Sequence, residues 1–110
     1  MATNTNFTIR KGRTGTIILT VTGVSSWTDL KAKLIASKTN GGIINISLTG
    51  VIDAENNIIT FTYTHDTTKG LAVYNYYYEI VLYKEDKTYL KSINYGLIYI
   101  EDVVKIDPVS

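Results

Sequence analysis

The chain has 110 residues, 45% hydrophobic and 19% charged, a globular composition sized for one domain spanning 1–110. Eleven Lys and Arg against ten Asp and Glu leave a net charge of +1, which removes the electrostatic reason to expect nucleic acid or an anionic membrane as partner. With no cysteine, disulfides and thiolate metal sites are excluded and the compartment stays undetermined.

A chain of this size buries roughly 65% of the surface its unfolded form exposes, enough for a core without staples. The opening stretch MATNTNFTIRKGR has no apolar core of signal-peptide length. No apolar run approaches the ~20 residues that a membrane-spanning helix needs. The expectation is a soluble protein with no visible secretory signal and no membrane insertion.

Met1 to Asn6 is polar and reads as a loose terminus. Phe7 to Arg10 alternates and reads as a first short strand. Lys11-Gly12-Arg13-Thr14-Gly15 marks a turn or a crossing. Two glycines among basic residues suggest a phosphate cradle, but the P-loop pattern is absent and no helix signal follows. Thr16 to Thr22 is a strand, with Ile17, Leu19 and Val21 on one side and Thr16, Ile18, Thr20 and Thr22 on the other.

Trp27 to Lys38 supports two readings. As a helix, Ser26 and Asp29 form a capping box and Trp27, Leu30 and Leu34 a stripe. As a strand, Leu30, Ala32, Leu34 and Ala36 point inward. The strand is favoured because its neighbours are strands. Asn40-Gly41-Gly42 is a turn. Ile43 to Thr49 alternates, with Ile44, Ile46 and Leu48 together, and Gly50 to Asp53 continues that strand past a bulge. Ala54 to Asn57 is a turn by composition.

Ile58 to Thr64 is a strand with Ile59, Phe61 and Tyr63 inward and Ile58 outward. In His65 to Gly70, Asp66 can cap a short helical turn, with Leu71 plugging the interior beneath it. Asn75 to Lys84 organises the rest. Tyr76, Tyr78, Ile80 and Leu82 share one side, and Tyr77, Glu79, Val81 and Tyr83 the other. A strand this apolar on both sides is normally central in its sheet. Glu85-Asp86-Lys87 is a tight turn, Thr88 to Ile93 pairs back, Asn94-Tyr95-Gly96 breaks that strand, and Leu97 to Glu101 is the last. Asp102 to Ser110, with Pro108, reads as an exit segment.

About seven or eight short strands at roughly ten-residue spacing describe an all-β sandwich or small barrel, of which a two-sheet antiparallel sandwich with Greek-key connections is favoured. Three stretches then carry a resemblance. Phe7-Thr8-Ile9-Arg10-Lys11-Gly12 opens the chain before a Thr-rich strand ending in Thr22-Gly23. Asp66-Thr67-Thr68, Leu71 and Tyr76 to Leu82 follow, and Gly96-Leu97-Ile98-Tyr99-Ile100-Glu101-Asp102-Val103 closes it. This order resembles the amino-terminal immunoglobulin-like domain of bacteriophage baseplate upper proteins and related prophage tail proteins.

The resemblance covers nearly the whole chain, through aliphatic rather than chemical motifs. It implies an immunoglobulin-like sandwich that attaches a receptor-binding apparatus to a phage tail or decorates a virion. Its partners would be other tail or baseplate proteins or further copies of itself. Its location would be the virion, or the bacterial cytoplasm during assembly. Family members tend to have glycine where Asn75 stands, a mild departure because Asn tolerates left-handed turns. The spacing from Leu71 to Tyr76 also resembles a tyrosine corner, which makes Tyr76 structural.

Candidate chemistry is sparse. His65 is the only histidine, and a general base needs an oriented partner. The serines Ser25, Ser26, Ser37, Ser47 and Ser92 carry no nucleophile-elbow motif. An exposed turn histidine is the better reading. Glu79 and Glu101 could face each other on one outer face, as a glycosidase pair would, although pairing of Glu79 with a cation across the sheet is favoured. Calcium through Asp53 and Glu55, or Glu101 and Asp102, needs six or more oxygens that no loop supplies. No catalytic residue, metal or cofactor is expected.

Nine Tyr against two Phe suit half-buried strand positions and contact surfaces. The expected interaction face is Tyr77, Val81 and Tyr83, joined by Ile18 or Ile58 from neighbouring strands. Leu71, Tyr76 and Trp27 are expected to be structural. The functional expectation is a non-enzymatic tail adaptor acting through protein contacts. The alternative is a carbohydrate-binding module in which Trp27 and exposed tyrosines stack on sugar rings.

Overall fold

The computed structural model describes residues 3–106 and 109. Nine strands and one helical turn follow in order: β1 (Thr3–Asn4), β2 (Phe7–Arg10), β3 (Gly15–Thr20), β4 (Lys31–Ser37), β5 (Ile46–Thr49), β6 (Val51–Asp53), β7 (Ile58–Tyr63), α1 (His65–Thr68), β8 (Asn75–Tyr83) and β9 (Leu90–Glu101). One sheet runs β1-β9-β8-β4-β5, with β2 also pairing β9; the second runs β3-β7-β6. All pairings are antiparallel except those of β1 and β2, which run parallel to β9. The chain is thus an all-β sandwich of two sheets.

Period-two alternation places the core between the sheets. Tyr76, Tyr78, Ile80 and Leu82 of β8 meet Ala32, Leu34 and Ala36 of β4, Ile98 and Ile100 of β9, and Ile17, Ile59 and Phe61 of the other sheet. The strand reading of Trp27–Lys38 holds for its second half. The first half is a turn, with Asp29 at φ 60°, so the Ser26–Asp29 capping box is not formed.

Five other expectations need correction. Thr3 and Asn4 are not loose; they pair with Asn94 and Tyr95. Ile43 to Asn45 is loop, with Ile43 and Ile44 exposed; pairing with β4 starts with the Asn45 N–H on the Ala36 carbonyl, and inward alternation starts at Ile46. Gly50 is not a bulge in one continuing strand. It is where the chain leaves the first sheet at β5 and enters the second at β6. A Cβ there would lie 2.7 Å from Ile59 Cγ2 and 2.8 Å from Phe61 Cε1, so only glycine passes between the layers.

Asn94-Tyr95-Gly96 does not break the last strand either. β9 is continuous for 12 residues, with an irregularity opposite Ile80 and Val81. Gly96, at φ 152°, lets the parallel N-terminal strand approach: a Cβ would stand 2.3 Å from the Thr5 carbonyl oxygen. The extra residue at the irregularity is Ile93, which packs against the core.

The helical turn begins after Thr64 rather than on an Asp66 cap. The Thr64 N–H donates to Thr67 Oγ1 at 2.9 Å, while the Asp66 carboxylate pairs with Lys69 at 2.9 Å. Asp107, Pro108 and Ser110 of the exit segment, like Met1 and Ala2, lie outside the described residues.

Candidate functional site

β8 lies mid-sheet, between β4 and β9. Its outer side chains therefore sit on a broad face. Tyr77 is opposite Ser37 and Leu97, Glu79 opposite Ile35 and Tyr95, Val81 opposite Lys33 and Ser92, and Tyr83 opposite Lys31 and Leu90. Tyr77 and Tyr95 are diagonal neighbours, 47% and 45% exposed. Ile35, Val81, Tyr83 and Leu97 are half-buried and Leu90 is exposed. Apolar and aromatic groups thus run across three adjacent strands.

Polar groups frame this face. Ser92 donates its hydroxyl proton to the Glu79 carboxylate, so the partner of Glu79 is a hydroxyl where a cation was expected. At the top rim Lys31 binds Glu85. The hydrogen bond and charge of Lys31 hold the Glu85 carboxyl below its ordinary range, and Glu85 raises Lys31 in turn. Near the other end of β8 a groove of about 830 Å³ opens, floored by Tyr77 and Glu79. The β4–β5 loop walls one side, through Asn40, Gly42 and Ile44; Tyr95, Asn4 and Asn6 wall the other.

The expected interaction residues do not form one patch. Tyr77, Val81 and Tyr83 share the face just described. Ile18 and Ile58 belong to β3 and β7 of the opposite sheet, so they point away from it. Ile18 is 62% exposed there, but threonines flank it along and across the strands: Thr16, Thr20 and Thr60. Period two identifies which side chains share a strand face; it carries no information on which sheet the strand joins. Tyr95, Leu97, Ile35 and Leu90 were missed. Alternation through 94–101 would have found Tyr95 and Leu97 had Gly96 been read as a close approach.

Trp27 lies at the far end of the sandwich. Its indole N–H donates to Asn57 Oδ1 at 3.0 Å, and its ring packs half-buried against the core. Tyr77 is six residues from the β8 end that Lys31 adjoins, roughly 20 Å at strand rise. Trp27 and Tyr77 therefore cannot line one sugar-binding row. Leu71 packs against the core below α1, and Tyr76, fully buried, donates to the Ala72 carbonyl at 2.9 Å.

His65 is half-buried rather than exposed. Its Nδ1 lies 2.8 Å from the Gly12 carbonyl oxygen. A carbonyl only accepts, so Nδ1 carries the proton. The Gly12 N–H donates to buried Thr68 Oγ1 at 2.8 Å. These two bonds tie the β2–β3 turn to α1, a structural use of the histidine. Glu79 and Glu101 do not converge: Glu101 lies six residues beyond Tyr95, the partner of Glu79, and sits 3.9 Å from Arg10. Asp53 accepts from Asn56 Nδ2 at 2.9 Å in its turn. Among the described residues no group of three or more His, Asp or Glu is placed to hold a metal. No helix among them is long and apolar enough to cross a membrane.

With this geometry in view, the fold is an immunoglobulin-like β-sandwich. Among solved structures the chain is similar to the extracellular domain of the voltage-gated sodium channel beta4 subunit, with a TM-score of 0.51 and 10% identity. The likeness covers 94% of this chain and 96% of that one. That domain forms parallel homodimers that explain its role in cell–cell adhesion. At this identity the likeness concerns the fold. No family model matches the chain, and no curated protein does.

Proposed function

We propose that the chain is a non-enzymatic adaptor that works by presenting the outer face of its six-stranded sheet to other proteins. The observation that carries this is the run of apolar and aromatic groups across β4, β8 and β9, centred on Tyr77, Tyr95 and Leu97. Contiguous exposed apolar surface on a rigid sheet is the usual mark of a docking site, and Tyr suits such sites through its apolar ring and polar tip. The homodimeric neighbour shows that this architecture can serve association. The setting we propose is a phage or prophage tail, on the resemblance of the Phe7–Gly12, Tyr76–Leu82 and Gly96–Val103 stretches to baseplate upper proteins. The chain would then reside in the virion, or in the bacterial cytoplasm during assembly.

Mass spectrometry of tail particles, purified after prophage induction of the strain encoding the chain, tests this reading. The chain should co-purify with the particles in fixed ratio to other tail proteins. Its presence in the cells but absence from the particles would contradict the assignment.

One observation favours a second reading, a carbohydrate-binding module. The Tyr77 and Tyr95 rings line a groove that also carries the Asn4, Asn6 and Asn40 amides, a combination able to stack on and hydrogen-bond a sugar. Trp27 has no part in it. A glycan array probed with the wild type and Tyr77→Ala separates the readings: glycan binding lost on substitution supports the module.

A further inference from the structure

The turn beside the groove holds a residue pair with chemistry of its own. Asn40 is the only one of the eight asparagines followed by glycine. Residues 39–42 form a turn closed by the Gly42 N–H, which donates to the Thr39 carbonyl at 3.0 Å. Gly41 stands at φ 78°, the left-handed value that the third residue of a type II turn requires. Asn40 and Gly41 are both exposed, and a Cβ at Gly41 would meet nothing within 4 Å. Among the described residues neither the Asn40 side chain nor the Gly41 N–H has a hydrogen-bond partner.

The other asparagines are held or shielded. Asn6 gives Nδ2 to the Tyr99 hydroxyl at 3.2 Å and takes the Leu97 N–H on Oδ1 at 2.9 Å. Asn56 gives Nδ2 to Asp53, and Asn57 takes the Trp27 indole N–H. Asn94 is fully buried. The N–H after Asn4, that of Thr5, is donated to the Tyr95 carbonyl at 2.9 Å. Asn45 and Asn75 precede Ile46 and Tyr76, whose side chains crowd the nitrogen that would have to attack.

We infer that Asn40 is a site of spontaneous deamidation, which takes the groove beside Tyr77 from one carboxylate to two. After losing its proton to base, the Gly41 nitrogen bonds to Asn40 Cγ. The Cγ–Nδ2 bond breaks, and Nδ2 takes up a proton and leaves as ammonia. The cyclic imide that remains adds water at either carbonyl. One opening gives aspartate; the other gives isoaspartate, whose main chain runs through the former side chain. Water is consumed and ammonia released, with no change of oxidation state. For the attack Asn40 must rotate about its Cα–C bond, which opens one backbone hydrogen bond of the turn. Glycines at 41 and 42 ease that rotation, because glycine populates both signs of φ.

The groove changes character as a result. Glu79 is the only charged side chain among the described residues lining it. Asn40 can donate and accept, whereas an aspartate there only accepts. The fold is spared, because β4–β5 pairing begins beyond the altered link, at the Asn45 N–H on the Ala36 carbonyl. The conversion needs no partner, so it is independent of what docks on this face.

Peptide mapping by mass spectrometry, on the purified full chain aged at neutral and mildly alkaline pH in heavy-oxygen water, tests this. The Asn40 peptide should take up one heavy oxygen, yield isoaspartate and aspartate together, and convert faster at the higher pH. Asn6, Asn56 and Asn57 should lag roughly tenfold, since each must first give up a hydrogen bond. Asn40→Gln keeps an amide but demands a larger ring, so it should stay unmodified, with a circular dichroism spectrum matching the wild type. A synthetic peptide of residues 36–45 gives the rate without the fold. Asn40 persisting in the folded chain while that peptide converts would overturn the inference. So would conversion of Asn6, Asn56 or Asn57 at the Asn40 rate, or an aspartate formed at 40 without heavy-oxygen uptake. Absence of the chain from tail particles would remove the tail assignment and leave this result standing.

Discussion

Asn94 donates to the Tyr78 hydroxyl at 2.8 Å inside the core, and Tyr78 passes its own proton to the Thr5 carbonyl. The direction of this chain follows from its end. The Thr5 carbonyl can only accept, so the single Tyr78 proton goes to it, and Asn94 must present its amide N–H. That leaves Asn94 Oδ1 buried with no hydrogen-bond partner. In immunoglobulin domains bearing an inter-sheet disulfide, a half-cystine stands two residues after the tyrosine-corner Tyr. Here that place belongs to Tyr78, two residues after Tyr76. The hydrogen-bonded relay from Tyr78 runs to the N-terminal segment within the same sheet and does not cross between the sheets.

Replacing Asn94 exposes the asymmetry of that relay. Asn94→Leu removes an orphaned acceptor and keeps the volume, so stability should change by less than about 1 kcal/mol, in either direction. Asn94→Ala leaves a cavity as well and should cost about 2 kcal/mol. Chemical denaturation of the two variants checks the difference.

Alkaline pH should unfold the chain through the same tyrosine. Burial pushes the Tyr78 hydroxyl up from 10.0 to about 12, with the Asn94 hydrogen bond opposing the shift. The folded state therefore holds its proton at pH values where the unfolded state releases it. The stabilisation is fully present below pH 10 and is lost as pH rises from 10 to about 12. Burial also raises Tyr76, in the same direction. Denaturation midpoints should fall across this window, and Tyr78→Phe should flatten the fall.

The tyrosine corner makes a smaller claim. Tyr76→Phe keeps the ring in the core and removes one bond to Ala72, whose carbonyl lies in an exposed segment that water reaches. The expected loss is about 1 kcal/mol. Tyr76→Ala removes the ring and should cost about 3–5 kcal/mol. Calorimetry on the pair distinguishes the bond from the packing.

Two glycines carry the crossings of the fold. Gly50→Ala drives a methyl into Ile59, Phe61 and Ala32 and should cost about 1–3 kcal/mol. Gly96→Ala meets the Thr5 backbone, which cannot swing aside as a side chain can. It should detach the N-terminal strand selectively. Hydrogen exchange should speed up at Thr5 and along Phe7–Arg10 while β4 and β7 stay protected.

These crossings also mark where the sequence stopped being legible. Alternation of apolar residues located β3, β4, β7 and β8 and assigned their inward faces, because burial on one side of a pleated strand imposes period two. The same alternation is blind to which layer a strand joins. Ile18 and Ile58 were therefore grouped with Tyr77 although a whole sandwich separates them. Gly50 and Gly96 look like punctuation in a single sequence. Their actual constraint is a neighbour distant along the chain: Ile59 and Phe61 for one, Thr5 for the other. Glycine signals close approach and stopping points alike. The exposed face was half visible through Tyr77, Val81 and Tyr83. Its other half, Tyr95 and Leu97, was hidden by treating 94–96 as a break.

Incorporation of paired surface variants into tail particles tests the central claim most directly. Tyr77→Asp places a charge in the middle of the proposed docking face, and Ile18→Asp places one on the opposite sheet. Both sites are exposed enough to leave the core intact, which circular dichroism can verify. The account predicts that Tyr77→Asp is excluded from the particles and Ile18→Asp enters them at the wild-type ratio. Exclusion of Ile18→Asp with normal entry of Tyr77→Asp would contradict it.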